Sequence, residues 1–106
     1  MSMSTDVDVA APELKVLAEP LRWRIVELLS GEELCVCHLV EALGVAQPLV
    51  SHHLRILRDA GLVETSRYRY WTYYRLCPAP LASLGRAISD LAEGAPPAGA
   101  RRRPCC

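Results

Sequence analysis

The stretch GVAQPLVSHHLRILRDAG, residues 44–61, decides the reading of this chain. Gly44 is a natural left-handed cap, so a helix should end there. After the link Val45-Ala46-Gln47, Pro48 suits the first turn of a new helix, where its missing N–H would have no intrahelical partner anyway. Val50, Leu54 and Leu57 then recur at i, i+4 and i+7, which puts them on one buried stripe of a helix running from Pro48 to Gly61. A short helix over about 36–43 precedes it. Two helices punctuated this sharply and joined by three or four residues form a helix-turn-helix, and residues 36–61 fit that pattern.

Toward the C-terminus, from Leu62, the periodicity changes to two: Val63-Glu64-Thr65, then Tyr70-Trp71-Thr72-Tyr73-Tyr74-Arg75-Leu76, rich in aromatic and β-branched residues. That predicts a β-hairpin, a wing beside the helix-turn-helix. A last helix from about Pro80 to Glu93 repeats Leu81, Leu84, Ile88 and Leu91, a narrow seam suited to another helix. Gly94 to Ala100 is a Pro-rich linker ahead of Arg101-Arg102-Arg103-Pro104-Cys105-Cys106. On the N-terminal side, Leu14, Leu17 and Leu21 recur at helical spacing until Pro20 interrupts, and a helix over about 20–30 carries Leu21, Ile25, Leu28 and Leu29 on one face. The expected architecture is mainly α with a small β-hairpin: a leader at 1–11, a winged helix-turn-helix domain at 12–93, and a flexible tail at 94–106. The leucine seam would expose a row of large apolar side chains on a monomer, which predicts a homodimer through the first and last helices by Leu14, Leu17, Leu81, Leu84, Ile88 and Leu91.

A chain of 106 residues with 51% hydrophobic content can bury one core, so a single domain is expected. No apolar run reaches membrane-spanning length, and MSMSTDVDVA lacks the basic and apolar regions of a signal peptide, so a cytoplasmic protein without a membrane partner is expected. The net charge is zero, yet residues 1–45 hold eight acids against three bases and residues 46–106 hold nine Arg against four acids, about −5 and +5. The only basic surface is therefore C-terminal, where the hairpin and the last helix-turn-helix segment lie. Five cysteines cannot all pair within one chain, and a reducing cytosol argues for free thiols or metal ligands.

On the 48–61 helix, a projection centred on Val50 turns Pro48, Ser51, His52 and Arg55 outward, where a recognition helix meets a major groove. Arg55 suits guanine or phosphate, and Gln47 and Ser51 suit phosphate or base edges near the helix N-terminus. The same face would also serve as the solvated side of an amphipathic helix; the adjoining hairpin favours DNA, because Arg67, Arg69 and Arg75 interleave with Tyr68 and Tyr70 as in a wing tracking a phosphate backbone. His53 points toward the buried side and reads as a packing residue.

In Glu33-Leu34-Cys35-Val36-Cys37-His38-Leu39, two thiols lie at the expected N-terminus of the first helix of the helix-turn-helix. Inert core thiols are one reading. The other is a ligand pair, since a helix N-terminus favours thiolate. Side chains two apart on a regular helix point about 200° apart, so one ion held by Cys35 and Cys37 must open that first turn. Cys105 and Cys106 sit behind a linker of about 12 residues with a root-mean-square span of roughly 20 Å, enough to reach a neighbouring site. They are either incidental or a source of further thiolate. Cys77, at the end of the second wing strand, reads as structural.

ELCVCHL followed by GVAQPLVSHHLRILRDAGLV and YYRL resembles the ArsR/SmtB family of metal-responsive repressors, over roughly residues 12–92. The resemblance implies a homodimeric repressor, no enzymatic activity, and recognition helices in successive major grooves of an imperfect inverted repeat of double-stranded operator DNA. It implies Gln47, Ser51, His52 and Arg55 at the DNA, and Cys35 and Cys37 as the site of the inducer, As(III) or Sb(III). Arsenic sensors with this motif often carry a third cysteine where this chain has Val40. Arg69 stands at the usual wing-turn glycine, and His38 stands where an acidic residue is common. The last helix has no histidine, so the family's zinc site between terminal helices is missing, and residues 4–34 lack the cysteines that cadmium and lead sensors add.

Other functions remain open on the sequence alone. A repressor of the same fold could answer to thiol oxidation or to Cd, Pb or Zn. A thiol oxidoreductase or metal carrier would use the Cys pairs, but no C-x-x-C in a βαβ context is present. A winged helix that binds only protein is a further alternative.

Overall fold

The computed structural model describes residues 12–102; the 1–11 leader and the Cys105 and Cys106 thiols lie outside the described residues. The described elements are α1 (12–18), α2 (Pro20–Leu29), β1 (Leu34–Cys35), α3 (Val36–Leu43), α4 (Gln47–Asp59), β2 (Val63–Tyr68), β3 (Trp71–Leu76) and α5 (Pro78–Glu93). This is a winged helix-turn-helix. α3 and α4 form the helix-turn-helix, and the β2–β3 hairpin is the wing.

Local chemistry sets the boundaries. Pro20 opens α2 behind Glu19, whose carboxylate accepts the Arg22 backbone N–H at 2.8 Å. That bond is the first cause holding the Glu19 carboxyl below its ordinary pKa. α3 stops at Gly44, which adopts φ 68° and ψ 28° and returns its N–H to Val40 O at 2.9 Å, the left-handed cap expected of glycine. α4 begins one residue before the expected Pro48, with Ala46 as N-cap and Pro48 in the first turn, and its helical part ends at Asp59. α5 likewise begins at Pro78, two residues ahead of the expected Pro80. Both prolines fall in the first turn, where an N–H has no intrahelical acceptor and its loss costs nothing.

The core lies where α2, α3 and α4 converge. Ile25, Leu39, Val50, Leu54, Leu57 and Leu62 are fully buried, joined by Leu17, Leu29, Val63 and Leu84. The stripe read from the sequence on α4 is thus the side that packs, and the opposite side is left to solvent.

The sheet differs from the expected hairpin by one strand. Its order is β1-β3-β2, all antiparallel, with Leu34 opposite Tyr74 and Cys35 opposite Tyr73. Tyr68 pairs with Trp71, so Arg69 and Tyr70 form a two-residue turn and Tyr70 is not a strand residue. Arg69 holds φ at 56°, the single described non-glycine residue with positive φ. Positive φ at the first turn position and not the second is the pattern that favours glycine there, and here the strain is borne by arginine.

Candidate DNA interface and thiol site

The solvent side of α4 carries the expected readers. Gln47, His52 and Arg55 are exposed and Ser51 is half-buried. Arg55 and Ser51 line a cleft of about 250 Å3 between α4 and the wing together with Arg58, Asp59 and Tyr74. Arg58 is an exposed cation that sequence reasoning passed over, although its i, i+3 spacing from Arg55 puts it on the same face. His53 is buried, 7% exposed. Arg22 of α2 reaches it, Nη1 lying 3.0 Å from His53 Nδ1, while Arg22 Nε donates to Val16 O at 2.6 Å. A guanidinium can only donate, so Nδ1 accepts and the ring is neutral. Burial is the main cause lowering the His53 pKa, with the Arg22 charge acting in the same direction against Glu19.

On the wing, Arg67 and Arg69 are exposed, and the Arg69 guanidinium lies 5.4 Å over the Tyr68 ring. Arg75 does not join them as a free cation. Its Nε donates to Glu64 across the hairpin and its Nη1 lies 4.0 Å from Glu33, so its charge is met by two carboxylates. Glu33 also accepts from Ser66 Oγ at 3.3 Å. The segment before the Cys motif is thereby tied to both wing strands, around a cleft of about 360 Å3 that Tyr68 and Tyr73 help to line.

The two thiols sit at the start of α3 but on different elements. Cys35 is not in the helix: it is the last residue of β1, extended at φ −91° and ψ 171°, and also the N-cap of α3. It is 8% exposed, whereas Cys37, two residues into α3, is exposed. A shared ion therefore has to draw a strand thiol and a helix thiol together, which still disturbs the first turn of α3 and now also the β1–β3 pairing. His38 completes a capping box: its ring Nδ1 accepts from the Cys35 backbone N–H at 3.1 Å, and Cys35 Sγ lies 3.3 Å from the same nitrogen. Its ring centroid is 6.3 Å from that of Tyr73. Among the described residues, no three His, Cys, Asp or Glu side chains converge on one point. Cys77 is half-buried and caps α5, with its N–H donating to Leu62 O at 2.9 Å; burial first, then the nearby Glu64, pushes its thiol pKa up.

The expected dimer seam is partly internal. Leu17 and Leu84 are both 7% exposed and belong to the protomer's own core. Leu14, Ile88 and Leu91 are exposed, as is Trp23, an α2 residue missed on the sequence. Leu14, Trp23, Leu81 and Ile88 edge an apolar groove of about 360 Å3 floored by Leu17 and Leu84.

Residues 19–65 match the description "bacterial regulatory protein, arsR family". An arsenic resistance transcriptional regulator of Pseudomonas putida is 48% identical over 65 residues, 60% of this chain and 51% of that protein. A crystal structure of a possible transcriptional regulator for arsenical resistance superposes with a TM-score of 0.65 at 43% identity, covering 73% of this chain and 79% of that one. The homodimeric winged helix-turn-helix domain of a possible ArsR-family regulator from Mycobacterium bovis gives a TM-score of 0.69 at 29% identity, covering 86% and 87%. This chain's matches span 51–66% of the length of the first curated relatives. With the same fold, the same helix-turn-helix and an identity of 43% over most of a solved relative, the chain belongs to the ArsR family of bacterial regulatory proteins, which are DNA-binding transcriptional regulators and not enzymes.

Proposed function

We propose that this chain is a cytoplasmic repressor that binds an imperfect inverted repeat of operator DNA as a homodimer and lets go when As(III) or Sb(III) is bound by Cys35 and Cys37. The observation that carries the reading is the position of Cys35, which is at once the end of a strand paired to the wing and the N-cap of the first helix of the helix-turn-helix. Drawing its sulfur toward Cys37 acts on both DNA-facing elements together. The P. putida relative supports arsenic as inducer by its name, and soft thiolate donors match a soft metalloid.

Gln47, Ser51, His52 and Arg55 would meet the groove, and Arg67 and Arg69 the flanking phosphates. Dimerisation would cover the groove edged by Leu14, Trp23, Leu81 and Ile88, with Leu91 continuing the seam beyond it; the M. bovis domain, a homodimer of similar fold, supports this. No helix among the described residues is long and apolar enough to cross a membrane. Cys35 and Cys37 supply two thiolates where As(III) prefers three, and Val40 cannot donate, so the third would come from Cys105 or Cys106.

A gel-shift titration with a palindromic promoter fragment tests the reading. Arsenite under reductant should release the wild type and leave Cys35→Ser and Cys37→Ser bound. Release by peroxide alone would mark a redox switch, and failure to retard any promoter fragment would end the repressor reading.

A further inference from the structure

Arg22 is half-buried where α1, α2 and α4 meet, and it touches all three. Its Nε donates to Val16 O at 2.6 Å, in the last turn of α1. The residue four places after Val16 is Pro20, which has no N–H to give, so the guanidinium takes the place of the missing helical donor. Its backbone N–H goes to the Glu19 carboxylate at the start of α2. Its Nη1 lies 3.0 Å from Nδ1 of His53, a buried ring on the packed side of α4. One side chain therefore joins α1, which carries Leu14 and Leu17 beside the apolar groove, to the second helix of the helix-turn-helix. The next ring along, His52, is exposed on the side proposed to meet DNA and stands edge-on to His53, with centroids 5.2 Å apart. A shift of His53 is passed directly to that face.

We propose that Arg22 and His53 are a positioning pair for operator binding: the guanidinium that bridges Val16 O and His53 Nδ1 holds α4 at a fixed angle to the dimer seam, and a proton on His53 Nδ1 opens the bridge and weakens the grip on DNA. The role rests on the homodimeric repressor reading. Donor and acceptor match only while Nδ1 keeps its lone pair, because a guanidinium can only donate. Protonation takes one proton per protomer from solvent, removes the acceptor, and leaves two cations facing each other where the bond stood. Either Arg22 then swings out and orphans Val16 O, or α4 tilts; both slacken the link between α1 and α4. Among the described residues, Glu19 and Arg22 of α2 and His52 of α4 are the groups whose charge bears on the ring, Glu19 favouring the proton and the other two opposing it. Burial opposes it most. The bridge is thus closed above the ordinary histidine value near 6.5 and opens as the pH falls toward the lower folded value.

The test is fluorescence anisotropy of a labelled palindromic promoter fragment with the full-length reduced protein, at about pH 7.5 and about pH 5.5, on either side of the ordinary histidine value. Wild type should bind about tenfold more weakly at the lower pH, the factor that losing one hydrogen bond to a charged group carries. His53→Gln offers an amide oxygen to the same guanidinium but takes up no proton, so it should bind like wild type at the higher pH and lose most of the fall. His52 is present in both proteins, so its own titration cancels. Arg22→Met keeps a long stem without a donor, and it should bind about tenfold more weakly at the higher pH with an unchanged salt slope, because no cation has left the phosphates. Without DNA, its His53 ring should titrate at higher pH than in wild type by NMR, since the Arg22 charge opposes the proton. Should Arg22→Met not fold, the His53→Gln profile decides alone. An equal fall in His53→Gln would overturn the proposal, as would a salt slope shallower by about 2 per dimer in Arg22→Met, which would make Arg22 a phosphate contact. Loss of helical content in step with the loss of binding would make the effect unfolding and overturn it too. Wild-type binding equal at both pH values would overturn it and leave the repressor reading standing, whereas failure to bind any promoter fragment at either pH would end both.

Discussion

Replacing Arg69 by glycine and, separately, by alanine tests the wing turn and its contact with DNA together. Arg69 is the first of the two residues between β2 and β3 and holds φ at 56°. A left-handed conformation costs an L-residue about 1–2 kcal/mol, while glycine loses about 0.5–1 kcal/mol more than alanine through its freedom in the unfolded chain. At the middle of both ranges the difference leaves the glycine variant more stable than the alanine variant by about 0.75 kcal/mol, the reverse of their order inside a regular strand. Both variants lose the guanidinium 5.4 Å over Tyr68, so that loss cancels in the comparison. For a domain of this size the gap is a difference in Tm of about 3–6 °C, read by circular dichroism on melting. Both variants also remove one cation per protomer from the wing. If each meets a phosphate, the slope of log K against log salt for operator binding should become shallower by about 2 for a dimer. Alanine as stable as glycine would refute the strain argument, and unchanged salt slopes in both variants would take Arg69 off the DNA backbone.

Ile88→Asp with Leu91→Asp should give a folded monomer with weak operator binding, by light scattering and gel shift, because both side chains are exposed on the protomer; a persisting dimer would move the interface elsewhere. Leu84→Asp should instead lower stability by several kcal/mol, since it places an unpaired carboxylate in the core, and urea unfolding distinguishes the two effects. Because burial holds the His53 pKa below the ordinary value near 6.5, the stability gained by burying a neutral ring is whole above that pH and is lost as the pH falls toward the folded value. Urea midpoints should therefore drop below about pH 6.5, and His53→Gln should lessen the drop; an equal drop in the variant would place the effect on other groups. Deleting residues 101–106 should weaken the arsenite response without removing it, and X-ray absorption should count three sulfurs in the full chain and two in the truncated form. Three sulfurs in both would make the tail a bystander and shift suspicion to Cys77.

The helix-turn-helix was legible because its signals are local. Val50, Leu54 and Leu57 are buried as their spacing requires, and Gly44 takes the left-handed cap that only glycine adopts without strain. Arg69 was visible as a departure at the turn, and its positive φ follows from the two-residue loop. What was not legible depends on partners far away in sequence. β1 is two residues long and exists only because Tyr73 and Tyr74 of β3 face it, so the strand ahead of the expected 36–43 helix was not foreseen. Arg75 looked like its wing neighbours, yet Glu64 and Glu33 hold it. Leu17 and Leu84 fall on the apolar seam, but a seam residue is exposed or buried according to how α1 and α5 sit on the core, which periodicity does not report. The contact between Cys35 and His38 arises because an N-cap and the third helical residue come together whenever a helix begins between them; the notable letter was a histidine at that position.

The central claim is that effector binding at the Cys35–Cys37 pair ends operator binding. Fluorescence anisotropy of a labelled operator, titrated with arsenite under reductant in wild type and in Cys37→Ser, tests it most directly. Cys37 is exposed and outside the core, so its serine variant should fold and bind DNA as the wild type does. The account predicts full release of the wild type and none of the variant; release of both at the same arsenite concentration would contradict it.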